Sequence, residues 1–200
     1  MLLEETPNTT ERIIMKLVTI SALAAALLTG AASLSAQEMP KMPEPTKEHI
    51  WLQQFVGEWE TEAEITMDPS QPPMKGKGTE NVRALGGFWV VGEGTGTMEG
   101  MPGTMHSVLT LGYDPATKKY VGSWIDSMTS TYWKYEGSVD ASGKTLTLDT
   151  EGPCPMKPGL VKFKEVTEFK DKDHRVFTSS ILGDDGKWTK MVTVNYRRKK

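Results

Sequence analysis

The run Tyr120-Val121-Gly122-Ser123-Trp124-Ile125-Asp126 carries two rings and a carboxyl at alternate positions. On an extended chain alternate side chains share a face. Large Trp124 is best buried, so Tyr120 and Asp126 are expected on the same inner side. A carboxyl buried beside rings has a raised pKa and can serve as a proton donor or acceptor. It also needs a partner, because an unpaired buried charge is too costly. Arg83 is the first candidate for that partner. Trp59, Tyr113 and Trp188 fall in phase with inward positions of their own segments, and Glu80, Glu165 and Thr167 are further polar candidates for an interior. These rings could wall a ligand cavity, or they could simply fill a core.

A second grouping is rich in sulfur. Met98, Met101, Met105 and His106 lie within nine residues around a Gly/Pro turn. Thioethers and imidazole suit Cu(I), but this spacing converges only if the turn folds back. Flexible gap-filling by methionine is the plainer reading. A third grouping, Glu58, Glu60, Glu62 and Glu64, alternates with Trp59, Thr61, Ala63 and Ile65. That is the solvated face of a strand and not a metal cluster.

Other chemistries are excluded by context. No Gly-x-Ser-x-Gly elbow exists, and the three histidines lie in unrelated places. His-x-x-x-His, Cys-x-x-Cys and Walker patterns are missing. Gly92-x-Gly94-x-Gly96 sits inside a strand-like segment, where small residues let a sheet bend or a ligand approach, and does not cradle phosphate. The 23 basic and 26 acidic residues give a net charge of −3, which invites neither nucleic acid nor an anionic membrane. One cysteine, Cys154, can form neither an internal disulfide nor a zinc site alone. It is expected to be a packed or loop thiol.

These side chains must be held by strands. A helix is expected over 46–56, with Thr46 as cap, one apolar face from Trp51, Leu52, Phe55 and Val56, and Gly57 ending it in a left-handed cap. The period then changes to two. Strands are expected near 58–67, 75–85, 87–97, 105–113, 119–126, 131–139, 144–151, 161–170, 174–182 and 187–197. Asp-, Gly- and Pro-rich turns separate them, and Gly152 to Gly159 reads as a longer break. No amphipathic stretch of helix length interrupts the series, so parallel βαβ folding is excluded. Ten consecutive antiparallel strands favour an all-β, up-and-down barrel that closes its own edges.

The N-terminal part reads as an export signal. Lys16 precedes an uncharged apolar run over 17–34, and Ser33, Ser35 and Ala36 supply a small-residue cleavage site. Residues 1–14 carry Glu4, Glu5 and Glu11, which do not suit a basic leader, so Met15 is the expected start. Ala31 stands where a lipidated cysteine would be needed, so no membrane anchor is expected after cleavage. The organisation is therefore signal peptide 1–36, extended linker 37–45 and barrel domain 46–200. The mature chain of 164 residues is expected in the periplasm or outside the cell.

The runs His49-x-x-Leu52-x-x-Phe55-Val56-Gly57-Glu58-Trp59, Gly86-Gly87-Phe88, Gly112-Tyr113-Asp114, Tyr120 to Ser127 and Asn195-Tyr196-Arg197 resemble the bacterial DUF1579 family over about 46–198. The resemblance implies a lipocalin-like or fatty-acid-binding-protein-like barrel and brings no established reaction. Gly57-x-Trp59 also resembles the opening of haem-binding nitrobindin barrels, whose haem ligand is a late histidine. Here the only late histidine, His174, sits in a charged turn. No cofactor is expected. The favoured function is binding of an apolar or amphipathic small molecule by Trp59, Arg83, Tyr113, Tyr120, Trp124, Asp126 and Glu165. The alternatives are an enzyme using Asp126 or Glu165 in the cavity, and copper binding by the methionine turn.

Overall fold

A computed structural model describes residues 41–200 except 69, 155 and 156. The export segment and its cleavage site lie outside the described residues. The first element is α1 (Lys47–Leu52), continued by a 3₁₀ turn over Gln53–Phe55. Thr46 sits at the N-cap, and its backbone N–H donates to His49 Nδ1 at 3.0 Å. His49 thus takes the place that Glu or Gln fills in the usual capping box. The ring's Nε2 meets the Tyr113 carbonyl at 3.0 Å, which ties the helix to the barrel wall.

The expected left-handed cap at Gly57 is not what the structure shows. The helix tightens into its 3₁₀ turn, Val56 is extended, and Gly57 opens the first strand with φ 133°. Glycine is required there twice over. Few other residues adopt that φ, and a Cβ would collide with the Arg198 guanidinium, which donates to the Val56 carbonyl at 2.6 Å.

Ten strands follow: β1 (Gly57–Ile65), β2 (Met74–Leu85), β3 (Trp89–Met98), β4 (Met105–Asp114), β5 (Lys119–Asp126), β6 (Trp133–Val139), β7 (Thr145–Cys154), β8 (Lys157–Asp171), β9 (His174–Leu182) and β10 (Trp188–Arg198). Each pairs antiparallel with its neighbours in sequence, and β1 pairs with β10, from Trp59↔Arg198 to Ile65↔Val192. The result is a closed up-and-down barrel, as expected from the spacing of turns. Glu58, Glu60, Glu62 and Glu64 are all exposed on its outer face.

Two local expectations fail. The described residues of Gly152 to Gly159 belong to strands, because β7 runs to Cys154 and β8 begins at Lys157, with Pro153 opposite Leu160. Pro153 and Pro158 lie at the rim of the barrel, where a register shift at Pro153/Cys154 already interrupts the ladder. A missing N–H costs least at such a place. Trp188 does not point inward either. The register shifts between Lys190 and Val192, so Thr189 opposes Ile181 before the bulge and Val192 opposes Ser179 after it. One extra residue reverses the inside–outside phase. Trp188 therefore lies outside, with the Lys164 ammonium 4.3 Å from its ring centre.

The helix closes one end of the barrel. Leu52 and Phe55 are wholly buried against Trp59, Val82, Val90, Leu111, Tyr120, Leu146, Leu148 and Phe169. Ring edges meet ring faces throughout this plug: Trp51 with Tyr120, Phe55 with Phe169, Tyr113 with Tyr120. A smaller cluster, Cys154, Ile181 and Met191, packs near the other end. Cys154 is thus a packed thiol.

Candidate functional site

Between the plug and the far end lies a cavity of about 360 Å³. This is the size range of small-molecule sites. Its walls are Trp124, Trp133, Tyr135, Phe163, Phe177 and Tyr196, with Met98 and Met105 on the β3–β4 side. Phe55 contributes from the plug. Room for the cavity comes partly from Gly76, Gly94 and Gly96, which stand at inward positions of β2 and β3 and contribute no side chain. At Gly94 a Cβ would come within 2.6 Å of Ser107 Oγ.

Two buried acids stand in this wall, in different states. Glu80 on β2 is paired with Arg175 on β9 across the barrel. Arg175 is 2% exposed, and its guanidinium also faces three rings, with centres at 3.7 Å (Tyr196), 4.8 Å (Trp59) and 4.9 Å (Phe55). Such stacking suits the planar, weakly hydrated guanidinium. Its Nε is buried without a partner.

Glu165 on β8 has no cation. Ser179 on β9, its register partner, donates to Oε1 at 2.9 Å, whereas Oε2 is buried with no partner. Burial pushes this carboxyl up to about 7, against a smaller downward pull from the Ser179 hydroxyl. The hydroxyls of Tyr135 and Tyr196 are pushed far above the ordinary tyrosine range, mainly by burial. The nearest acids, Glu165 and Glu80 respectively, add to the shift. Trp133 Nε1 and Thr150 Oγ1 are also buried without partners. A buried polar group left unpaired costs roughly 1–3 kcal/mol. Three such atoms, on Trp133, Thr150 and Glu165, belong to β6, β7 and β8, which are consecutive staves of the barrel.

Of the residues expected to form the site, Trp124 and Glu165 line this cavity. Trp59, Tyr113 and Tyr120 face inward as the alternation predicts, but they belong to the plug. Trp59 is wholly buried, its indole N–H donates to the Phe55 carbonyl at 2.8 Å, and Arg175 and Arg198 lie over its ring. Arg83 is exposed on the outer face, because its neighbour Val82 takes the inward position. It therefore does not meet Asp126. That carboxylate ends β5 and holds its own turn, accepting from the backbone N–H groups of Met128 (2.6 Å) and Thr129 (2.9 Å) and from the Thr129 hydroxyl. The buried Arg–acid pair exists, but it is Arg175 with Glu80.

The methionine turn divides between faces. Met98 and Met105 line the cavity, Met101 is exposed in the turn, and His106 points outward next to Met105. The alternation of β4 thus keeps His106 away from the two inward thioethers. Among the described residues no group of three or more His, Cys, Asp or Glu side chains could hold a metal ion. A second concavity, of about 610 Å³, has Asp126 and His106 in its lining with Glu58, Glu93 and Lys199. Its border is mostly polar strand residues, so the enclosed interior is the better candidate.

Sequence reasoning passed over Trp133, Tyr135 and Arg175. The first two were visible in the period-two run Trp133-x-Tyr135-x-Gly137-x-Val139. Arg175 was hidden by its charged neighbours Asp171 to His174, although Arg175-x-Phe177-x-Ser179-x-Ile181 alternates cleanly.

Comparison with solved structures supports the architecture. The protein described as Rv2717c from M. tuberculosis matches with a TM-score of 0.58 at 9% identity, over 78% of this chain and all of that one. An S-type phycobiliprotein lyase, CPES, from Guillardia theta matches with a TM-score of 0.49 at 14% identity, over 78% of this chain and 93% of that one. The likeness to the first, at 9% identity, shows the barrel fold alone. No curated protein sequence matches the chain. The family model for DUF1579, a protein of unknown function, matches residues 44–198, and the chain belongs to that family.

Proposed function

We infer that this protein binds an apolar or amphipathic small molecule inside the barrel. The observation that carries the reading is the cavity itself, walled by six aromatic side chains and two methionines and containing buried polar atoms without protein partners. A barrel evolved only as a scaffold gains by filling such space, since close packing stabilises. Polar atoms buried without partners are worse still in an empty interior. Export belongs to the same reading, on the strength of the apolar run over 17–34 and the small residues after it.

Native mass spectrometry of gently purified mature protein tests the reading. A retained small molecule, lost on denaturation and absent from a Trp124→Arg variant, is expected. Protein that stays ligand-free, and that takes up no apolar fluorescent probe, refutes it. A second reading is favoured by one feature. A carboxyl near neutral pKa inside a cavity suits general acid–base catalysis, and Glu165 is such a group. Asp126 is not, because it is committed to its turn. Conversion of a retained compound, abolished in Glu165→Gln, would establish that reading.

A further inference from the structure

We propose that the ligand is an amphipathic organic cation whose ammonium group is held by Glu165, and that anionic amphiphiles such as fatty acids are rejected. The proposal rests on the binding reading above and names the class of molecule that the cavity takes.

The charge arrangement inside the barrel carries it. The ionisable residues bordering the cavity are Lys77, Glu80, Tyr135, Glu165, Arg175 and Tyr196. Lys77 is exposed at an outward position of β2. The only buried cation is Arg175, and Glu80 already neutralises it. Its guanidinium is held on the Tyr196 ring and is 2% exposed. An incoming carboxylate would bring a second negative charge to a guanidinium that Glu80 already neutralises, on a wall that also carries the buried Glu165. No other buried positive group is available to an anion among the described residues lining the cavity.

Glu165 presents the opposite situation. One oxygen is engaged by Ser179, and the other is buried and unpartnered. The groups facing it from the packed elements are Tyr135 from β6, Tyr196 from β10 and the Glu80–Arg175 pair from β2 and β9. From β7, Leu148 lies opposite it in register. None of these supplies a free positive charge. An ammonium would pair with Oε2 through a charge-assisted hydrogen bond. The surrounding rings add to this preference, because ring faces attract cations most strongly where water is excluded. Trp124, Trp133, Phe163 and Phe177 would then cover the apolar part of the ligand.

Binding is coupled to proton release by Glu165. The carboxyl stays protonated up to about pH 7 in the free protein. A cation favours the carboxylate, so its affinity rises with pH toward and through that value and levels off above it. Tyr135 and Tyr196 do not interfere, because their hydroxyls are held neutral far above this range.

The experiment uses three ligands with one chain length: octylamine, octanol and octanoate. Each is titrated calorimetrically into the mature protein about one pH unit below and one above the Glu165 value. Octylamine is expected to bind at least about tenfold more tightly than octanol at the higher pH, a difference of about 1.4 kcal/mol. It should lose most of that advantage at the lower pH. Octanoate should bind more weakly than octanol. In Glu165→Gln the preference for octylamine over octanol should disappear. If octanol binds and octylamine is no better, or if octanoate is preferred, the cation proposal falls and the binding reading stands. If none of the three binds to the wild-type protein, the binding reading itself falls.

Discussion

Replacing Glu165 by Gln should stabilise the protein, by an amount that depends on pH in a defined direction. The carboxyl is 6% exposed, and burial pushes it up to about 7 from an ordinary 4.5. In acid below about pH 4.5, both folded and unfolded chains carry the proton and no penalty arises. Between there and about pH 7 the unfolded chain releases it while the folded chain keeps it, so stability falls as pH rises. Above about pH 7 the loss is complete. It amounts to about 3 kcal/mol, at 1.36 kcal/mol for each pKa unit. Gln keeps the shape of the neutral acid and does not titrate. Urea unfolding, followed by tryptophan fluorescence at constant ionic strength, should be run on both proteins from about pH 4 to pH 8. The stability of Glu165→Gln relative to wild type should grow by about 3 kcal/mol across that range. All other titrating groups are shared and cancel. A difference that stays constant with pH, or that shrinks as pH rises, would refute the assignment of Glu165 as a buried acid without a cation.

Two further outcomes rest on the same structure and a third on the sequence before it. Arg175→Met should destabilise by about 3–5 kcal/mol, because Glu80 is left buried and alone, and adding Glu80→Gln should recover most of that loss in chemical denaturation. Trp59→Ala, in the wholly filled plug, should cost about 3–5 kcal/mol, whereas Trp124→Ala at the cavity wall should cost clearly less while changing the uptake of apolar dyes. Equal losses for the two tryptophans would contradict the division into plug and cavity. N-terminal sequencing of mature protein from its own cell should begin at Gln37 or within two residues, and an intact Met1 or Met15 would overturn export.

Alternation along each strand was enough to predict the barrel, and it assigned the right face to Trp59, Tyr113, Tyr120 and Trp124. It could not divide plug from cavity. That division depends on how deep α1 seats in one end, and Leu52 and Phe55 reveal only that the helix has a buried face. Alternation failed at Trp188 because a single-residue bulge at Met191 reverses phase without changing composition. The Arg83–Asp126 pairing failed for a different reason. A terminal aspartate has a cheaper partner in the backbone of its own turn than in any distant arginine. Arg175–Glu80 is separated by most of the barrel sequence, so only closure of the sheet brings it together.

That closure also bears on how readily the chain folds. The seam joins β1 to β10, and Arg198 donates to the carbonyls of Val56, Gln54 and Lys172. The first and last staves are the strands furthest apart in sequence that pair in the barrel. Until they pair, the sheet has two unpaired edges, a form open to wrong partners. The loop closed by the seam is nearly the longest the domain allows, so its closure carries a large entropic cost. Folding should therefore be slow relative to helical proteins of this size. Because β1 and β10 lie side by side at the seam, joining the two ends of the barrel domain and reopening the chain in the exposed 100–104 turn would make that pairing local in sequence.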